Sequence, residues 1–106
     1  MQGSVTDAWT ALGDPTRRAI FERLAERPFA VSELASGFPV SRPAVSQHLK
    51  VLKSAGLVRD RRAGKQRIYS VDALGLGAFR SELEQFWGKT LAAYKAAVEE
   101  PSKEVT

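Results

Sequence analysis

The chain has no cysteine, one histidine and one methionine among its 106 residues. Without cysteine it can form no disulfide, thiolate metal site or thiol redox sensor. A lone imidazole, His48, excludes any site that needs two, so no metal and no cofactor are expected. There is neither a nucleophile–base–acid set nor a phosphate-binding glycine loop, so an enzyme is not expected. Long apolar runs are missing as well. The longest, Leu91-Ala92-Ala93-Tyr94, is far too short to span a membrane. Met1-Gln2-Gly3-Ser4 has neither the basic nor the apolar region of a signal peptide, which leads to the expectation of a soluble cytoplasmic protein. The length fits one domain, expected over residues 5–100, with residues 1–4 and 101–106 as flexible termini.

What the chain does have is a basic segment. Residues 41–70 contain Arg42, Lys50, Lys53, Arg59, Arg61, Arg62, Lys65 and Arg67 against one acid, Asp60, a net of +7. The other residues hold eight bases and eleven acids, a net of −3, and the whole chain is +4. A basic third set into a slightly acidic protein points to a polyanionic partner, most often nucleic acid.

Periodicity and punctuation give the elements. Val5, Ala8, Trp9 and Leu12 recur at helical spacing and predict a short first helix ended by Gly13. Asp14-Pro15 reads as an N-cap followed by proline at the first helical position, opening a second helix from about Pro15 to Glu26. Phe29-Ala30 is a short extended stretch. Val31–Ser36 is a short third helix with a weak start, since Ala30 is a poor cap, and Gly37 closes it. Ser41 caps a fourth helix, about Arg42 to Ala55, in which Pro43 is tolerated in the first turn and Gly56 is the stop. Leu57–Ala63 and Gln66–Val71 flank Gly64-Lys65 as a β-hairpin. Asp72 can cap a long last helix, about Leu76 to Glu100, although Gly75 and Gly77 obscure its first turn. The fold class expected is mainly α: a winged helix-turn-helix with about five helices and a two-stranded wing.

At 100° per residue the fourth helix divides into two faces. Ala44, Val45, His48, Leu49, Leu52 and Ala55 form the core sector. Arg42, Pro43, Ser46, Gln47, Lys50 and Ser54 lie opposite, without a single acid. Such a face suits a DNA major groove: arginine and lysine for phosphate or guanine, glutamine for an adenine edge, serine for base or backbone. His48 sits at the edge of the core sector, either as a packed residue or as a donor to phosphate. Arg61, Arg62, Lys65 and Arg67 surround the Gly64 turn. They suit a wing laid on the phosphate backbone, and they also guard an edge strand against aggregation.

The last helix carries Leu76, Phe79, Leu83, Phe86, Trp87, Leu91, Tyr94 and Val98, a stripe broader than one face. A small domain has little interior to absorb it. Together with the first helix this predicts a two-fold dimer interface from Val5, Trp9, Leu12, Leu83, Phe86, Trp87, Leu91 and Tyr94.

The motifs resemble those of the ArsR family of bacterial repressors. The resemblance lies in Ala11-Leu12-Gly13-Asp14-Pro15-Thr16-Arg17-Arg18 with Ile20 and Leu24, and in Val31-Ser32-Glu33-Leu34-Ala35. It continues through Val45-Ser46-Gln47-His48-Leu49-Lys50-Val51-Leu52, Ala55-Gly56-Leu57-Val58 and a wing from Gly64 to Tyr69. Phe86-Trp87 looks like the cysteine-free, SdpR-type autorepressor branch. The match runs from about Thr6 to Glu99. It implies a homodimeric, sequence-specific repressor, often of its own gene, binding double-stranded DNA through the helix after Ser41 and through the wing. Residue by residue it implies Ser41, Arg42, Ser46, Gln47, His48 and Lys50 as helix contacts. Metal-sensing members use cysteines around the third helix, or histidine and carboxylate ligands on the last. Here the third helix has no cysteine, and Glu82, Glu84, Glu99 and Glu100 have no histidine beside them. Metal induction is therefore not expected, and no small-molecule effector is identified. Two other readings use the same residues. One is a repressor with a small apolar effector held by Trp9, Phe86, Trp87 and Tyr94 at the dimer interface. The other is a winged helix for protein–protein contact, which has no need of an acid-free helix face.

Overall fold

Residues 5–99 are described by the structure, a computed structural model. In chain order they form α1 (Val5–Ala11), α2 (Pro15–Leu24), β1 (Phe29–Ala30), α3 (Val31–Ser36), α4 (Arg42–Ser54), β2 (Val58–Ala63), β3 (Gln66–Val71) and α5 (Ala73–Glu99). The mainly helical winged helix-turn-helix is therefore present, with β1 added to the hairpin as a third antiparallel strand in the order β1-β3-β2. The termini expected to be flexible lie outside the described residues.

Local chemistry sets the helix ends. The Asp14 carboxylate accepts from the Arg17 backbone N–H at 2.9 Å, and Pro15 occupies the first turn of α2, where a missing N–H costs nothing. Arg17 Nε in turn donates to the Ala11 carbonyl at 2.9 Å, tying the end of α1 to the start of α2. α2 stops at Leu24, two residues short of the expected Glu26. Ala25 and Glu26 close it instead with i→i−3 bonds to Glu22 and Arg23 at 3.2 and 3.1 Å. α3 has no capping side chain at Ala30, yet Glu33 reaches back to accept from the Ala30 N–H at 2.9 Å. α4 starts on Ser41, whose hydroxyl oxygen accepts from the Ala44 N–H at 3.2 Å. It ends one residue before the expected Ala55, in a Schellman turn: Leu57 N–H to Leu52 O and Gly56 N–H to Lys53 O, both 3.0 Å, with Gly56 at φ +80°.

α5 begins three residues earlier than the glycines led one to expect. Asp72 Oδ1 accepts from the N–H groups of Leu74 and Gly75, at 3.1 and 3.2 Å, so a proper N-cap lies before Ala73. The Asp72 N–H donates to the Leu57 carbonyl at 2.9 Å, which sets the first turn of α5 directly on the end of α4. Gly75 crosses Gly56 there so closely that a Cβ would overlap the Gly56 carbonyl.

The core is built from Ala8 and Ala11 of α1, Ile20 and Leu24 of α2, Phe29, Leu34, the α4 residues Val45, Leu49 and Leu52, and then Ala55, Leu57 and Val58. α5 contributes no buried residue over its 27 positions. Its second half projects away, and the molecule measures 65 × 29 × 22 Å.

The Asp14 cap carries a pH signature. The Arg17 N–H holds its carboxyl below the ordinary value of 3.8 against a weaker opposing effect of burial, with the Arg17 and His48 charges and the Thr16 N–H adding smaller effects in the same lowering direction. A lowered folded pKa means stabilisation that is complete above the ordinary aspartate range and is lost as pH falls through the folded value. Asp14→Ala is expected to lower the melting temperature at pH 7, with the gap from the parent narrowing in melts taken below the ordinary aspartate pKa. A gap that stays constant into acid would contradict an ionised cap.

Candidate nucleic-acid interface

The spacing of α4 puts Val45, Leu49 and Leu52 at zero exposure against the other helices. Arg42, Pro43, Ser46, Gln47, Lys50, Lys53 and Ser54 all lie exposed on the outer side. Ala44 and His48, expected in the core sector, are half-buried at its rim. The Nδ1 of His48 is buried and bonds to no described residue. Ser41 is exposed, and its oxygen already serves as the cap acceptor while its hydroxyl hydrogen can be donated elsewhere.

The wing follows from the hairpin register. Ala63 pairs with Gln66, Arg62 with Arg67, Arg61 with Ile68 and Asp60 with Tyr69. The two-residue turn places Gly64 at φ +64°, while no described non-glycine residue has positive φ, the pattern of a II′ turn. Arg61, Arg62, Lys65 and Arg67 are all exposed. Arg62 and Arg67 oppose each other directly, an arrangement of like charges that destabilises a hairpin unless an anion lies nearby.

The structure brings the two halves of this surface together. Arg42 and Ser46 from α4, Lys65, Gln66 and Arg67 from the wing, and Ser32 from the start of α3 line one open cleft of about 170 Å³. The wing and α4 thus form one continuous basic surface.

Two residues that the sequence reading counts only as charges, Lys53 and Asp60, connect them. Asp60, with 8% of its side chain exposed, lies between Lys53 Nζ at 2.8 Å and Arg67 Nη1 at 3.3 Å. One bond reaches the last turn of α4 and the other reaches β3. Burial, with the Asp60 carboxylate second, raises the facing Tyr69 hydroxyl above its ordinary pKa of 10.0, against the opposing Lys53 and Arg67 charges. The only signal in the sequence was that Asp60 is the single acid in the basic segment.

The residues expected at a dimer interface divide three ways. Trp9, Phe86, Trp87, Leu91 and Tyr94 are exposed large apolar or aromatic side chains. Trp9 meets Phe79 and Phe86 edge-on at 5.7 and 5.3 Å, and Phe86 meets Trp87 at 5.4 Å, so α1 and α5 share one aromatic cluster. Leu12 and Leu83 are half-buried, Leu12 against the core. The side chain of Val5 lies outside the described residues.

A short helix, a turn, an exposed helix without acids and a basic hairpin define a winged helix-turn-helix DNA-binding protein. The helix-turn-helix domain family matches residues 12–61. The chain is 59% identical over 92 residues to the HTH-type transcriptional regulator Rv2034 of Mycobacterium tuberculosis, covering 87% of this chain and 86% of that one. It is 34% identical over 68 residues to the transcriptional repressor SdpR of Bacillus subtilis, covering 64% of this chain and 76% of SdpR. Among solved structures, an ArsR-like transcriptional regulator from Rhodococcus superposes with a TM-score of 0.72 at 33% identity, covering 87% of this chain and 90% of that one. The chain belongs to the ArsR family of winged helix-turn-helix transcriptional repressors; it is a DNA-binding regulator and not an enzyme.

Proposed function

We propose that the protein is a homodimer that represses transcription by occupying an inverted-repeat operator, including one upstream of its own gene, and that it works in the cytoplasm without sensing metal. The observation that carries this reading is the joint surface of α4 and the wing, where Arg42, Ser46, Lys65 and Arg67 meet at one cleft beside an acid-free helix face. On this reading Gln47 and Ser46 read base edges, while Arg42 and Lys50 reach phosphate or guanine. Ser41 donates to a phosphate at the start of the helix and His48 from its edge, and Arg61, Arg62, Lys65 and Arg67 follow the backbone beside it. The exposed apolar and aromatic surface of α5 supports pairing with a second copy. Two recognition helices related by that axis would enter successive major grooves, one helical turn or a multiple apart. The absence of cysteine and of any histidine besides His48 favours a repressor without a metal inducer.

The test is titration of the purified protein against DNA from upstream of its own gene, with unrelated DNA as control, across a salt series. Tight, selective binding that weakens steeply with salt is expected. Gln47→Ala should cost about 1–3 kcal/mol on the selected site and relax its sequence preference, whereas Lys50→Ala should weaken all duplexes alike if Lys50 lies on phosphate. Equal, weak affinity for both DNAs would count against an autoregulatory operator.

A further inference from the structure

We propose that Asp60 is a positioning residue for DNA binding: it holds the Arg67 guanidinium in the cleft between α4 and the wing, where one backbone phosphodiester is bound. The proposal rests on the DNA-binding reading above and adds a role for an acidic residue that carries the wrong charge to touch DNA.

Asp60 has 8% of its side chain exposed, and both its carboxylate oxygens are occupied, Oδ1 by Lys53 and Oδ2 by Arg67. A buried carboxylate so paired is costly to leave with either partner missing, which makes the pairing a constraint on wing position. Lys53 belongs to the last turn of α4, and Arg67 stands on β3 beside the hairpin turn. The carboxylate therefore sets the wing at a fixed angle to the recognition helix.

Arg67 is half-exposed and faces two ways. Its Nη1 meets Asp60 at 3.3 Å, and the same side chain lines the cleft with Arg42, Lys65 and Ser46. Guanidinium has five donors in a planar fork, so one edge can stay on Asp60 while the other meets a phosphate oxygen. A lysine ammonium is a compact head on a flexible stem and lacks that fork. Arg62, directly opposite Arg67, adds positive charge that the wing alone leaves uncompensated.

The proposal makes a prediction opposite in sign to net charge alone. Removing an acid from a DNA-facing surface should tighten binding if only charge matters. Asp60→Asn is instead expected to weaken binding to a duplex enriched from a random pool by the parent protein, by roughly tenfold, with the salt slope reduced by about one per subunit. Arg67→Gln should lose as much, and the double variant should lose no more than Arg67→Gln alone, because both remove one contact. Asp60→Glu should restore most of the affinity. Asp60→Asn binding as tightly as the parent, or losses that multiply in the double variant, would overturn the proposal. Should Asp60→Asn fail to fold in a thermal melt, Arg67→Lys decides: it keeps the charge at an exposed site, and parent-like affinity and salt slope would refute the two-sided role. If the parent enriches no duplex, the DNA-binding reading fails, and the clamp is judged without DNA. Backbone NMR order parameters for residues 61–67 should fall in Asp60→Asn, and unchanged values overturn the clamp itself.

Discussion

Phe86→Glu, and independently Leu91→Glu, is expected to give a folded monomer that has lost operator binding. Phe86 is 47% exposed and Leu91 57% exposed in a helix with no buried residue, so neither carboxylate breaks the core. The core lies in α1 to α4 and at the start of β2, and it remains intact. In the proposed dimer, the same carboxylate would be taken out of water among Trp9, Trp87 and Tyr94, a cost that apolar burial cannot offset. Two linked half-site contacts then become two separate ones, and affinity should fall by a factor on the order of 10²–10⁴. Sedimentation reads the assembly and a DNA titration reads the consequence, with helical circular dichroism as the folding control. Either variant remaining dimeric with parent-like DNA affinity would exclude this face as the dimer contact.

Gly75→Ala is expected to be the most destabilising small substitution in the chain. Its Cβ would fall on the Gly56 carbonyl, which belongs to backbone fixed by the Schellman turn at φ +80° and by the Asp72–Leu57 hydrogen bond. Neither partner is a flexible side chain that could step aside, so α5 must lift off the end of α4. Overpacking of this kind costs on the order of 3 kcal/mol. Gly77→Ala is the matched control, two residues away with nothing near its Cβ position, and should stabilise by up to about 1 kcal/mol through helix propensity. Urea unfolding midpoints measure both. A Gly75→Ala protein as stable as the parent would refute the close crossing.

These two glycines also show where reading the sequence stops. Gly75 and Gly77 look alike as helix breakers, and their pattern alone puts the start of α5 too late. The Asp72 cap overrides them, and only the three-dimensional crossing distinguishes a required glycine from a permissive one. The elements whose ends are set by local chemistry were legible: Asp14-Pro15, Ser41 with Pro43, and Gly56 mark their helices because cap, proline and left-handed turn act within a few residues. At α3 Ala30 is a weak cap, while Glu33, three residues on, holds the missing half of the device. The polar face of α4 was legible from a 100° step alone. That the wing folds onto this face, and that Lys53, Asp60 and Arg67 converge, was not. Each stands seven residues from the next, a spacing with meaning only once a helix end and a hairpin are set against each other.

The crossing of Gly56 and Gly75 has a mechanical consequence. Backbone touches backbone there, with no side chain between to act as a cushion, so α4 and α5 are joined stiffly. In the proposed dimer the α5 pair acts as the frame of a caliper and the recognition helices as its jaws. A tilt at the frame would carry each jaw along the duplex, where one base pair rises by roughly 3.4 Å. A stiff joint forbids that tilt at low cost, so the protein would gauge the distance between half-sites as strictly as it reads their bases. One inserted base pair also turns a half-site by about 35° around the duplex, out of reach of a jaw that cannot swivel.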